Sequence, residues 1–121
     1  VARPKPLTPK RGEVHLVSFD PALGAEIQKT RPAVIVQNDI GNLHSPVTIV
    51  AAVTSNVFRR GPTSVLVNAP EGGLNVDSVV LLNQIRTIDR RRLAKRLGVL
   101  RSATMKQVDQ ALAISLALID I

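Results

Sequence analysis

The chain has 121 residues, with 16 lysines and arginines against 9 aspartates and glutamates, a formal net charge of +7. That length suits one domain with a true core, and a hydrophobic content of 45% set out in short runs excludes wholesale disorder. Cysteine is absent, which excludes disulfides and thiolate chemistry; the two histidines, His15 and His44, sit at no ligand spacing, so neither a metal nor another cofactor is expected.

Residues 1–11 alternate Pro4, Pro6 and Pro9 with Arg3, Lys5, Lys10 and Arg11 and read as a flexible basic arm, leaving 12–121 as the folded domain. Val14 to Phe19 is a β-type run closed by Asp20-Pro21, and its His15 reads as a part-exposed structural residue. Ala22 to Thr30 is a polar loop of the length at which loops carry function. Arg31 opens the next strand, held extended by Pro32. Asn38 to Asn42 is turn chemistry, followed by a β-branched strand from Pro46 to Thr54. Arg59-Arg60-Gly61-Pro62 breaks the chain before a strand from Thr63 to Val67, and Glu71-Gly72-Gly73 is a further turn. Ser78 to Leu82 and Gln84 to Asp89 are either a hairpin or one strand bent at Asn83. Arg90 to Lys95 suits one short helical turn, and Arg96 to Leu100 a last strand. From Ser102, an acceptable N-cap, Met105, Val108, Leu112, Ser115, Leu116 and Ile119 fall on one helical stripe. The pattern predicts a mostly β, α+β small barrel, strongly bent and covered by a C-terminal helix.

No apolar run reaches the roughly 18 residues at which a membrane span becomes plausible, and no signal peptide is evident, so the expected compartment is the cytoplasm. The basic balance points to a polyanionic or acidic partner. Aromatic residues make up only 2%, so charge must carry most of the binding. Arg90, Arg91, Arg92, Lys95, Arg96 and Arg101 form a cluster without an internal acid, expected to be a solvated positive face. If neighbouring strands run antiparallel, the start of the Arg31 strand lies beside the end of the Thr54 strand. An arginine and a hydroxyl at one edge, near Glu26 in the mobile-length loop, suit phosphodiester cleavage in RNA, where the enzyme chiefly stabilises charge on the phosphorus. Arginine does this well and is a poor ordinary base.

Arg11-Gly12-Glu13-Val14, Gly24-Ala25-Glu26, Arg31 through Asn42, and Ser45-Pro46 running into Ile49 to Thr54 resemble the MazF/PemK family of toxin endoribonucleases. Asp77 to Leu82, Gln84 to Asp89 and Ala113 to Ile119 are also similar, so the likeness runs in order from Arg11 to the C-terminus. The resemblance implies an SH3-like plasmid-maintenance-toxin barrel acting as a homodimer, with single-stranded mRNA in a groove across the interface. It implies sequence-specific cleavage without metal, leaving a 2′,3′-cyclic phosphate and a 5′-hydroxyl. Its catalytic positions fall on Arg31 and Thr54 and its loop glutamate on Glu26; its RNA-binding positions fall on Asn38, Ser78, Gln84 and Arg86. It also implies a cognate antitoxin whose acidic, disordered tail occupies the same groove. Lys29 stands where the family usually has glycine, and His15 where an aromatic is common. A gyrase-poisoning toxin of the same fold, or a non-catalytic RNA-binding barrel, would not need the set of Glu26, Arg31 and Thr54.

Overall fold

The computed structural model describes residues 7–19 and 30–120. Six strands form one antiparallel sheet: β1 (Glu13–Ser18), β2 (Thr30–Ile35), β3 (Val47–Thr54), β4 (Ser64–Val67), β5 (Ser78–Asp89) and β6 (Leu93–Val99), in the order β4-β5-β3-β2-β1-β6. A short helix, α1 (Asp39–His44), joins β2 to β3, and a longer one, α2 (Ser102–Ser115), ends the fold. The expected bent β barrel with a C-terminal helix is therefore present, although the sheet does not close on itself: β4 and β6 remain its edges.

The core explains the bending. One face of the sheet carries Val14, Val34, Ala51, Val53, Val65, Val67, Val80 and Leu82, covered by Val108 and Ala111 of α2 and by Leu74 and Leu100. The opposite face carries a second, smaller cluster of Val17, Ala33, Ile35, Val50, Ile88 and Leu93 with Phe19 against it. Ala33, Val34 and Ile35 are all fully buried, because β2 lies mid-sheet with both faces covered, as its unbroken apolar run requires.

β5 settles the choice between a hairpin and a bent strand. It is one strand, and its register on β3 jumps from Ala51↔Ile85 to Ala52↔Leu81, leaving Leu82, Asn83 and Gln84 without a β3 partner. This bulge bends the strand and lets its first half also pair with β4. Asn38 to Asn42, expected as a turn, forms the start of α1 instead: the Asn38 side chain accepts from the Gly41 N–H at 2.8 Å and caps the helix. Asn42 is fully buried there, accepting from the Thr48 hydroxyl at 2.7 Å and donating to the Gln37 carbonyl at 2.9 Å.

Two glycines fasten the 3₁₀ turn at Glu71–Gly73 to β6. Gly73 has φ 72°, and a Cβ on it would overlap the Leu97 carbonyl oxygen; a Cβ on Gly98 would lie 2.6 Å from the Gly72 carbonyl carbon. Only glycine allows the two backbones to approach this closely.

α2 departs from the expected stripe at both ends. Arg101, not Ser102, is its N-cap and makes no side-chain cap of its own; the Glu71 carboxylate supplies one, accepting from the Arg101 N–H at 3.0 Å. The helix stops at Ser115. Ala117 turns left-handed (φ 59°), with hydrogen bonds from the Leu118 N–H to the Ala113 carbonyl and from the Ala117 N–H to the Ile114 carbonyl, a Schellman ending with alanine in glycine's place. Leu116 and Ile119 are consequently exposed, and the buried face is Thr104, Val108 and Ala111.

Candidate active site

The two expected catalytic residues, Arg31 and Thr54, lie at the adjoining ends of β2 and β3. β2 and β3 pair as Ala33↔Ala52, Val34↔Ala51 and Ile35↔Val50. The same register continued by two residues sets Arg31 opposite Thr54, and directly opposed residues of an antiparallel pair point to the same face. Arg31 is also opposite Val17 of β1. Its side chain is exposed and makes no hydrogen bond or ion pair with the described residues. Thr54 is half-buried, and its Oγ1 accepts the Asn56 N–H at 3.1 Å. A hydroxyl that accepts still has its proton to donate, so the pair offers a fixed positive charge and an O–H donor to one anion.

Arg31 stands at the mouth of a cleft lined by Pro32, Val53, Leu74, Asn75 and Leu97. The floor is the β2–β3 ladder, and the wall from Leu74 is held in place by the glycine contact between the 3₁₀ turn and β6. Ser78 lines the same cleft, but it is 3% exposed and its hydroxyl donates to the Val76 carbonyl at 2.9 Å. Gln84 is exposed in the β5 bulge and Arg86 just beyond it; the Arg86 guanidinium lies 5.6 Å from the Phe19 ring centroid. Asn38 is exposed past the other end of β2, on the order of 20 Å from Arg31 along the strand direction. Within one chain, then, Arg31 and Ser78 line one cleft and Thr54 follows its Val53 wall in sequence, while Asn38 lies apart. Glu26 and Lys29 fall outside the described residues, as do residues 1–6 of the basic arm.

The arginine-rich segment after β5 is the expected solvated face, with Arg91, Lys95, Arg96 and Arg101 exposed, and it also makes structural contacts. Arg91 pairs with Asp89 (2.9 Å), Arg96 with Glu13 (2.7 Å) and Arg101 with Glu71 (2.9 Å). Arg90 donates to the Leu7 carbonyl and the Thr8 hydroxyl, and Arg92 to the carbonyls of Ser18 and Phe19. The hydrogen bonds from Arg91 hold the Asp89 carboxyl at about 2. The positive charges left without an acidic partner among the described residues include Arg31, Arg59 and Arg86.

His15 is 1% exposed rather than part-exposed, because β1 is flanked by β2 and β6 on both sides. Its Nε2 lies 3.0 Å from Glu13 Oε1, and its Nδ1 has no partner among the described residues. Burial alone would raise the Glu13 carboxyl, but hydrogen bonds from His15 and the Lys10 N–H, with the charge of Arg96, hold it below the ordinary value of 4.5. Among the described residues no three His, Asp or Glu side chains converge as a metal site would need, and no helix is long and apolar enough to cross a membrane. Sequence reasoning missed a second cleft, beside Phe58 and Arg59; the signal was an aromatic followed directly by two arginines, read only as a chain break.

Comparison with known proteins agrees with this architecture. The model of a family described as PemK-like, MazF-like toxin of type II toxin–antitoxin system matches residues 10–116. The chain is similar to the endoribonuclease EndoA of Bacillus subtilis, 47% identical over 112 residues that cover 92% of this chain and 97% of that protein. Among solved structures it is similar to a mycobacterial endoribonuclease in complex with its cognate antitoxin, with a TM-score of 0.77, 28% identity, and coverage of 93% of this chain and 99% of that one. It is also similar to a MazE–MazF crystal structure from Deinococcus radiodurans, with a TM-score of 0.79, 25% identity, and coverage of 93% and 99%.

Proposed function

This chain belongs to the PemK-like, MazF-like toxins of type II toxin–antitoxin systems and is an endoribonuclease, and we propose that it cuts single-stranded mRNA at a short sequence motif, without metal, in the cytoplasm. The 2′-hydroxyl at the cut attacks the adjacent phosphorus and loses its proton, the bond from phosphorus to the 5′-oxygen breaks, and that oxygen gains a proton. The products are a 2′,3′-cyclic phosphate and a 5′-hydroxyl. Arg31 holds and neutralises the phosphate and assists proton transfer, Thr54 donates to a phosphate oxygen, and Glu26 contributes from the loop before β2. A preorganised cation and donor aimed at developing charge are worth about 100- to 1,000-fold in rate each.

What supports this reading is that the β2–β3 register, continued two residues past its last pair, sets Arg31, exposed and without a partner among the described residues, opposite Thr54. Asn38, Ser78, Gln84 and Arg86 bind the RNA. The long separation of Asn38 from Arg31 is accommodated when two protomers share one groove, which is the support for a homodimer. An antitoxin with an acidic, disordered tail competes for the same unpaired arginines. The test is cleavage of a single-stranded transcript in EDTA. Arg31→Ala should cut at least 100-fold more slowly with an unchanged unfolding midpoint, and a 2′-deoxy residue at the cut site should block the reaction. Full activity of Arg31→Ala, or cutting of the deoxy substrate, would remove the mechanism.

A further inference from the structure

Phe58 is one of two aromatic residues in the chain and stands 91% exposed in the β3–β4 connection. Phe19, the other, packs against the second core cluster. An exposed phenyl ring in a loose loop would mean little, but this connection is built. The Asn56 N–H donates to the Thr54 hydroxyl at 3.1 Å, the Phe58 N–H to Asn56 Oδ1 at 3.2 Å, and the Arg59 N–H to the Asn56 carbonyl at 3.1 Å. Arg60 Nε donates to the Val57 carbonyl at 2.9 Å, and the Gly61 N–H donates to Ser64 Oγ at 2.8 Å. The backbone that presents the ring is thus ordered before anything binds.

Below the ring lies a shallow cleft whose walls are Phe58, Arg59, Arg60, Ser64, Leu81 and Asn83, with no acidic residue among them. The Arg59 guanidinium has no ion pair among the described residues. An aromatic face, an unpaired guanidinium and a carboxamide around one cleft are the parts that bind a nucleotide: the ring stacks on the base, the cation takes the phosphate, and the amide meets the base edge. Phe58 follows Thr54 by four residues, so it lies within about 14 Å of it by chain reach. The Thr54 hydroxyl itself anchors the loop.

We infer that the cleft of Phe58, Arg59 and Asn83 is an accessory nucleotide subsite, stacking an unpaired base of the RNA strand a short way from the bond held by Arg31 and Thr54. This rests on the endoribonuclease reading above, and it adds a stacking contact that composition alone argued against. The chain has neither tryptophan nor tyrosine, so Phe58→Trp introduces a lone fluorophore at the site. In an Arg31→Ala background, a mixed-sequence 12-nucleotide single-stranded RNA should quench that fluorescence as it binds. With the same RNA carrying fluorescein, Phe58→Ala should weaken binding roughly 5- to 100-fold by anisotropy, the range of one base stacked on a ring, and Phe58→Trp should not. The inference is overturned by absence of RNA binding, by an unchanged tryptophan signal while anisotropy reports binding, or by Phe58→Ala affinity within twofold. It is equally overturned if an acidic peptide, and not RNA, perturbs the tryptophan, since the cleft would then serve a protein. Cleavage by the otherwise unaltered chain, run in parallel, separates failure of this subsite from failure of the nuclease reading.

Discussion

Glu71→Ala should be the most informative stability variant, because one carboxylate joins three elements. Its side chain is 8% exposed and lies at the start of the 3₁₀ turn that carries the wall of the Arg31 cleft. It accepts from the Arg101 N–H at the head of α2 (3.0 Å), from the Arg101 guanidinium (2.9 and 3.2 Å) and from the Thr104 hydroxyl. The Arg101 side chain is 77% exposed, so the ion pair alone is worth at most about 1 kcal/mol. Losing a helix cap costs about 1 kcal/mol, and leaving the buried Thr104 hydroxyl unpaired about 1 more. The expected total is ~3 kcal/mol, a large share of the 5–15 kcal/mol typical of a domain, or a melting point lower by roughly 10 °C. Urea unfolding followed by circular dichroism measures it, with the denaturant slope unchanged. Arg101→Ala, which removes the guanidinium and keeps the carboxylate cap, should lose no more than about 1 kcal/mol. If the two variants lose the same amount, the capping argument is wrong and Glu71 acts only as half of a surface ion pair.

Acid sensitivity should follow from the carboxylates with lowered values. For Glu71, burial pushes upward and the bonds from Thr104 and Arg101 outweigh it, as those from His15, Lys10 and Arg96 do for Glu13. A carboxylate lowered in the folded state stabilises above its ordinary value of 4.5 and loses that contribution as pH falls through the folded value. Glu13→Gln should therefore flatten the decline of stability below pH 4.5, and an unchanged slope in unfolding titrations would count against the network. Ala117→Gly should raise stability by about 0.5–1 kcal/mol, since it removes a left-handed alanine from the end of α2 at some cost in unfolded-chain entropy; a loss of stability would mean the turn is not strained. Arg86→Ala should lower the salt dependence of RNA binding by about one phosphate contact. Arg91→Ala, whose charge is already matched by Asp89, should barely change it, and equal effects would show that net charge alone steers the RNA.

The strands that carry the candidate site were legible because they depend on local rules. Pro32 at the start of one apolar run and the β-branched residues from Pro46 to Thr54 marked two strands, and these do pair antiparallel, at Ala33↔Ala52 to Ile35↔Val50. What escaped prediction depends on partners far apart in the chain. Nothing near Arg101 announces that Glu71 will cap it, and nothing near Arg90 announces the Leu7 carbonyl. His15 alternates like an exposed strand residue, yet it is buried against Glu13 where β6 pairs alongside β1 and sets Arg96 opposite it. α1 was hidden for a different reason. Asn38 and Asp39 favour turns and helix starts alike, and the six-residue helix that follows is too short for a periodic apolar signal.

These long-range pairings change what the net charge means. Only part of the charge of +7 lies in the arginine run that composition singles out. There Asp89, Glu13 and Glu71 hold Arg91, Arg96 and Arg101, and backbone carbonyls hold Arg90 and Arg92. Arg96 ties β6 to β1, Arg101 ties the head of α2 to the 3₁₀ turn, and Arg92 reaches the end of β1. The rest includes Arg31 at the start of β2, Arg59 in the β3–β4 connection and Arg86 in β5, all exposed and without an acidic partner among the described residues. With Asp89, Glu13 and Glu71 committed to those pairs, these cations are left without an acidic partner among the described residues, on a backbone whose order lowers the cost of binding a polyanion.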